Sequence, residues 1–285
     1  RYGRSRVNPN VPDMNTDWYK EILRPATIQN HSISISGGDK NTSYSVGTSY
    51  FKQGGILDMK NSYERFNVRL KLDYAANDWI TVGGNAMLSN GMTYGQSASA
   101  WNVAYFAVPV MPVIDEQNTN AWPVRYASAQ TLGYRDGKNP FPYMDYSNNQ
   151  IRTRKILTNF YAKFNFFEDK LTFQTTYNVG GAFQNERYVG LPYYVSNALQ
   201  RNLSSITKTS YNTFNQIWDN VLNYRESFGS HNVEGMLGMS YRDEAWESLS
   251  GSGNELQSID REDTWFLSQT PTESRTVTDN GNRIY

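Results

Sequence analysis

The sequence predicts an all-β fold, an antiparallel transmembrane β-barrel segment with long extracellular loops, and three observations predict it. Apolar and polar residues alternate with period two over runs of about ten residues. The runs are joined in turn by tight breaks and by long connections. Aromatic residues (Tyr 21, Phe 13, Trp 7) are abundant in a chain that is only 38% hydrophobic. A strand with one face in lipid and one in a wet lumen carries that pattern, and it needs about 9–11 residues to cross the hydrocarbon layer.

Composition removes several function classes. The 285 residues balance 27 Lys+Arg against 27 Asp+Glu, so no basic excess argues for nucleic acid. Mean hydropathy is −0.67, and no run reaches the roughly 18 apolar residues of a membrane helix. With Cys 0 and His 2, thiol chemistry is absent and a histidine-based metal or catalytic site is not expected. Arg1-Tyr2-Gly3-Arg4 does not read as a signal peptide. An exported protein therefore either has lost its signal or is represented here from partway along a longer chain.

Residues 1–30, punctuated by Pro9, Pro12 and Pro25, read as an extracellular loop with a short helix near 17–23 behind an Asn15 or Thr16 cap. Residues 31–95 read as strands. Ile33 and Ile35 alternate with Ser32, Ser34 and Ser36, and a turn follows at Gly37-Gly38-Asp39-Lys40-Asn41. Tyr44, Val46, Thr48 and Tyr50 then alternate with Ser43, Ser45 and Ser49. The clearest case runs Phe66, Val68, Leu70, Leu72, Tyr74 against Asn67, Arg69, Lys71, Asp73. After a break at 75–78 it resumes as Ile80, Val82, Ala86, Leu88 against Thr81, Asn85, Ser89.

Residues 96–150 read as a long extracellular loop, with Pro109, Pro112, Pro123, Pro140 and Pro142. A loop of that size is functional or locally folded. Residues 151–246 return to strands. Ile156, Phe160, Ala162, Phe164 and Phe166 alternate with Asn159, Tyr161, Lys163 and Asn165. Leu171, Phe173, Tyr177 and Val179 alternate with Thr172, Gln174, Thr176 and Asn178, and a last pair surrounds Ser227-Phe228-Gly229-Ser230. Residues 247–285 read as an extracellular loop, because Arg283, Gly281 and Asp279 share the parity of Tyr285 and are not lipid-facing types. The sum is about eight strands in four hairpins. Tight breaks fall near 39, 77, 169 and 229 and long ones lie opposite, as in outer-membrane barrels. Tyr74, Trp79, Phe166, Phe167, Tyr224 and Phe228 gather at the tight turns, as an interfacial girdle or as strand-end core aromatics.

A family resemblance rests on ordered short motifs. Asn15-Thr16-Asp17-Trp18 is followed by Gln29-Asn30-His31, Ser36-Gly37-Gly38, Thr42-Ser43-Tyr44, Gly47, Tyr50, Gln53-Gly54-Gly55-Ile56 and Arg65. Trp218-Asp219-Asn220, His231-Asn232 and Gly238 come later. In order and spacing this run resembles SusC/RagA-like TonB-dependent transporters of Bacteroidota. The resemblance implies part of a barrel of about 22 strands, a plug and TonB-contacting segment lying outside this chain, and a SusD-like surface lipoprotein as partner. It further implies import of glycan or peptide oligomers across the outer membrane by binding and gated passage. No plug is visible in the chain and the strands are too few, so a fragment of the barrel is expected.

Catalysis finds no support: no nucleophile elbow or carboxylate pair assembles, and no cofactor is implied. Asp115-Glu116 and Asp260, Glu262, Asp263 are either calcium ligands or solvated loop charges. Gly180-Gly181 and Gly251-Ser252-Gly253 lack the strand-to-helix setting of a phosphate cradle. His31 and His231, near strand starts, are expected to be hydrogen-bonded structural residues. The lumen-facing parity, Asn67, Arg69, Lys71, Asp73, Asn85, Lys163 and Gln174, with Asn159, Asn165 and Asn178, suits a hydrated solute or a docked plug. Trp101, Tyr105, Trp122 and Tyr126, with Phe106 and Tyr134, are substrate-binding candidates through stacking, or else they fold the loop or grip a lid. Two rival readings remain: a complete small outer-membrane barrel acting as adhesin or enzyme, and a soluble all-β carbohydrate-binding module.

Overall fold

The computed structural model describes residues 13–95, 98–134 and 137–284. The tetrapeptide at the N-terminus, Pro9, Pro12 and Tyr285 lie outside them. Nine long strands form one antiparallel sheet. They are β1 (Ile28–Gly38), β2 (Thr42–Gly54), β3 (Ser62–Asn77), β4 (Ile80–Tyr94), β5 (Ser147–Phe166), β6 (Leu171–Gly190), β9 (Ser205–Phe228), β10 (His231–Asn254) and β11 (Thr276–Ile284). A small hairpin, β7 (Tyr193–Ser196) and β8 (Leu199–Arg201), sits in the connection after β6. Each long strand pairs with its neighbour in chain order, and the register is unbroken apart from one shift at 75–77.

Unbroken register keeps each parity on one side. Ile35, Val46, Leu70 and Ala86 stand in one row across four strands. Phe160, Tyr177, Trp218 and Tyr241 make another across the next four. This face is apolar yet uncovered: Leu70 is 45% exposed and Phe160 57%. The opposite face carries the row Ser36, Ser45, Lys71, Asn85, Asn159 and Asn178.

Tight connections all lie at one end of the sheet, at 39–41, 78–79, 167–170 and 229–230, and the long ones lie at the other. The first two use the same device. Asp39 Oδ1 accepts from the backbone N–H of Asn41 and Thr42, each at 2.8 Å. Asn77 Oδ1 accepts from those of Trp79 and Ile80 at 3.0 and 2.8 Å. A short polar side chain thus replaces a backbone turn bond.

The buried cores sit in the long connections and at the strand ends that enter them. The first gathers Trp18 and Ile22 of α1 (Trp18–Ile22), Leu57, Ala100 and Ala104 of α2 (Ala98–Phe106), and Met144 of α3 (Phe141–Asp145). The predicted short helix is therefore present, capped by Asp17, whose Oδ1 accepts from Lys20 N at 3.2 Å, and not by Asn15 or Thr16. A second core joins Tyr126, Tyr146 and Tyr193, and a third joins Val189 and Ile206 to Leu256 and Trp265.

Three boundaries differ from expectation, the first being that β1 starts at Ile28, inside the expected 1–30 loop. Strand β5 starts at Ser147, so the long loop is shorter than 96–150. More importantly, 247–285 is not one loop: β10 continues to Asn254, and β11 pairs with its residues 244–252. Strand β11 was hidden because Arg283 falls on the apolar side. There its guanidinium reaches Asp243, at 2.6 and 3.0 Å, and the pair neutralises what parity alone forbids.

Candidate functional site

Two surfaces are candidates, the polar face of the sheet and the folded cap made by its long connections. On the polar face the predicted residues share one side. Asn67, Arg69, Lys71 and Asp73 lie along β3, and Asn85 stands opposite Lys71. Lys163 and Gln174 face each other across β5 and β6. An amide ladder crosses three strands: Asn85 Nδ2 donates to Asn159 Oδ1 at 3.5 Å, and Asn159 Nδ2 to Asn178 Oδ1 at 2.7 Å. Asn67 is buried and donates to Ser49 Oγ at 2.9 Å.

Asp73 is the best-held charge on this face. It accepts from Tyr161 Oη at 2.7 Å, Lys71 Nζ at 2.9 Å and Ser43 Oγ at 3.3 Å. Tyr161 reaches it by passing over Gly83, where a Cβ would lie 2.6 Å from both Asp73 Oδ1 and the ring. Parity marked Tyr161 as polar-side but gave no sign of this contact, which needs three strands in register. The face is a fixed lattice of amides, hydroxyls and paired charge. It can exchange hydrogen bonds with a hydrated molecule.

In the cap the four predicted rings separate. Tyr126 is 4% exposed, stacked on Phe141 at 6.0 Å, with its hydroxyl donating to Asp145. Burial, with that hydrogen bond adding to it, pushes the Tyr126 phenol well above its usual range. Trp101 packs on the first core and against Tyr19 at 5.8 Å. Tyr105 is 71% exposed, edge-on to the equally exposed Phe106. Trp122 is 46% exposed, while its backbone exchanges two hydrogen bonds with Tyr194 of β7, at 2.9 and 3.0 Å. A cavity of ≈270 Å³ between α2 and β8 is lined by Asn102, Val103, Phe106, Gln130, Lys138 and Tyr143. None of Trp101, Tyr105, Trp122 and Tyr126 lines it.

The other candidates are placed as follows. Glu116 pairs with Arg125 at 2.7 Å and Asp263 with Arg261 at 2.6 Å. Glu262 lies 2.9 Å from Lys60 and 3.3 Å from Arg187, and accepts from Asn148. Burial works to raise the Glu262 carboxyl, but the Lys60 and Asn148 hydrogen bonds and the two cations outweigh it and hold the group below its usual range. Among the described residues no group of three or more His, Asp or Glu side chains converges as metal ligands do. Gly180-Gly181 and Gly251-Ser252-Gly253 are strand interior. His31 and His231 are exposed on β1 and β10, where no side-chain bond to a described residue holds them.

No family model matches the chain. Among curated proteins it is 27% identical over 239 residues to TonB-dependent receptor P3 of Formosa agariphila, covering 80% of this chain and 23% of that protein. It is 24% identical over 243 residues to TonB-dependent receptor SusC of Bacteroides thetaiotaomicron, covering 79% and 24%. The chain is similar to SusC/RagA-type TonB-dependent transporters over part of their length. Solved structures agree at the level of fold. This SusC/RagA-like chain superposes on the RagAB peptide importer in its open-open state with a TM-score of 0.71 and 18% identity, covering 98% of this chain and 31% of that one. For the closed-closed state the TM-score is 0.68 and the coverage 94% and 30%. The likeness is to the sheet and its cap together.

Proposed function

We propose that this chain is the membrane-spanning wall of a TonB-dependent importer in the outer membrane, moving glycan or peptide oligomers by binding and gated passage without chemistry. The observation that carries the reading is the two-faced sheet. An uncovered apolar face in unbroken register fits lipid, a polar face fits a wet lumen, and the folded connections collect on one side. On this reading the sheet is part of a closed barrel of about 22 strands, and Asn67, Arg69, Lys71, Asp73, Asn85, Lys163 and Gln174 face the lumen. The cap is extracellular. Tyr105 and Trp122 offer ring faces to the oligomer, while Trp101 and Tyr126 position the cap that carries them. A SusD-like surface lipoprotein closes over it, and the TonB complex acts through a part of the protein outside this chain.

The test is uptake of labelled oligosaccharides and peptides by cells carrying the wild-type gene, its deletion, or Tyr105→Ala with Trp122→Ala, after confirming that the protein fractionates with outer membranes. Loss of uptake on deletion and weaker uptake in the double variant are expected. A protein recovered in buffer without detergent would favour the soluble carbohydrate-binding module instead.

A further inference from the structure

Cations on the apolar side of the sheet are distributed unequally between its two ends. Beside the tight turns the apolar side carries a matched pair, Lys170 with Glu226 at 2.6 Å. Toward the cap, Arg152 and Arg154 stand two residues apart on β5 and are exposed, about 6.7 Å from each other along one face. Arg187 and Lys208 stand opposite each other on β6 and β9, in the row that holds Gln150.

These cations have different fates. The connection after β10 lies along this margin and supplies Glu262, which takes Arg187 and Lys60. Its Trp265 ring lies 5.2 Å from the Arg187 guanidinium and its Phe266 ring 4.3 Å from Lys208 Nζ. Arg152, Arg154 and Lys208 have no carboxylate partner among the described residues. The acids nearest in register are engaged elsewhere, Glu64 with Lys52 at 2.7 Å and Glu247 with Asn212 at 2.9 Å.

The surroundings of the free cations have two characters. Below Arg152 and Arg154 lies a hollow of ≈660 Å³ lined by Phe66, Val68, Leu88, Ile156 and Phe183. Beside them lies a second, of ≈550 Å³, that also reaches Arg187, Lys208 and Leu267. The two share Arg152 and Arg154, so an apolar trough runs directly up to a cationic rim.

We infer that Arg152, Arg154 and Lys208 hold the phosphorylated headgroup of an outer-leaflet lipid whose acyl chains lie in the trough beneath. Phosphate supplies the charge these groups lack, and guanidinium pairs bind it in a planar fork that ammonium groups cannot match. Apolar walls directly below the rim call for acyl chains on the same molecule, which a free phosphate does not carry. At the opposite end Lys170 already has Glu226 as its partner, which places the site in the leaflet on the cap side. This inference rests on the reading of the chain as a membrane-spanning wall.

The experiment is native mass spectrometry and lipid extraction of the full-length protein purified in mild detergent from outer membranes, with membrane fractionation recorded first. Wild type is compared with Arg152→Gln/Arg154→Gln, with Arg152→Lys/Arg154→Lys, and with Lys170→Gln as a charge control at the other end. Co-purified phosphorylated lipid should fall about tenfold in the Gln pair, be partly retained in the Lys pair, and be unchanged in Lys170→Gln. Equal lipid in the Gln pair and wild type would overturn the site. Displacement of the bound lipid by millimolar inorganic phosphate would also overturn it, by showing that the acyl chains contribute nothing. A protein absent from the membrane fraction would instead sink the importer reading, and that is seen before any lipid is measured.

Discussion

Leu70 and Lys71 are chain neighbours on opposite sides of the sheet, and the difference between them was readable from parity alone. Leu70 stands in a row of apolar residues on an uncovered face. Leu70→Arg should therefore abolish or slow membrane assembly, since a charge at that depth costs about 2–4 kcal/mol. Lys71→Ala removes an exposed ammonium from the half-buried Asp73, which keeps its Tyr161 and Ser43 hydrogen bonds, and should assemble as wild type, because a pair with an exposed partner contributes little. Equal behaviour in an assembly assay that reads heat-modifiable migration would show the faces to be wrongly assigned. The loop aromatics were not readable in this way, because composition does not distinguish a ring that folds a loop from one that the loop displays. Tyr126 proved to be core and Tyr105 exposed. Tyr126→Ala should therefore destabilise the cap by about 3–5 kcal/mol, seen as faster limited proteolysis within residues 98–146. Tyr105→Ala should leave proteolysis unchanged and weaken only substrate binding.

At the scale of elements, legibility followed the range of the contacts. Hairpins with alternating faces and Asx-closed turns are local, and their signatures lie within a few residues of each other. Strand β11 is not local: its polar sequence makes sense only beside Asp243, forty residues away. The connection after β10 is likewise fixed at a distance, by Glu262 reaching Lys60 and Arg187. Because the Glu262 carboxyl is held below its usual value, the folded state binds its proton less readily than the unfolded chain does. Its contribution is complete above the ordinary glutamate range and is lost as pH falls through the depressed value. Protection from hydrogen exchange across residues 255–275 should fall as the pH drops below the ordinary glutamate range, while the amides of β6 and β9 stay protected. Glu262→Gln should show the lower protection already at neutral pH and lose the pH dependence. A pH response that survives in Glu262→Gln would assign the effect to another group.

For the whole molecule the deciding feature is the pair of sheet edges. Among the described residues β1 pairs only with β2 and β11 only with β10, so each leaves a row of backbone donors and acceptors facing outward. In hydrocarbon every such group must be satisfied, and a sheet achieves this only by closing on itself. Soluble proteins instead blunt their edges with charge, proline or short strands. Strand β1 has none of these devices: it runs eleven residues, Ile28–Gly38, with Ile33 and Ile35 exposed on its flank. The chain also covers only 23% and 24% of the transporters it resembles. In the full-length protein embedded in its membrane, amides of both alternations along Ile28–Gly38 and Thr276–Ile284 should therefore exchange as slowly as those of β3. The denatured mass of that polypeptide should be several times the 32.6 kDa of this chain, leaving room for the strands that complete the wall. Slow exchange confined to the amides that face β2 and β10 would mean that the sheet ends where β1 and β11 end. A closed importer barrel would then be untenable, however well the faces of the individual strands fit lipid and water.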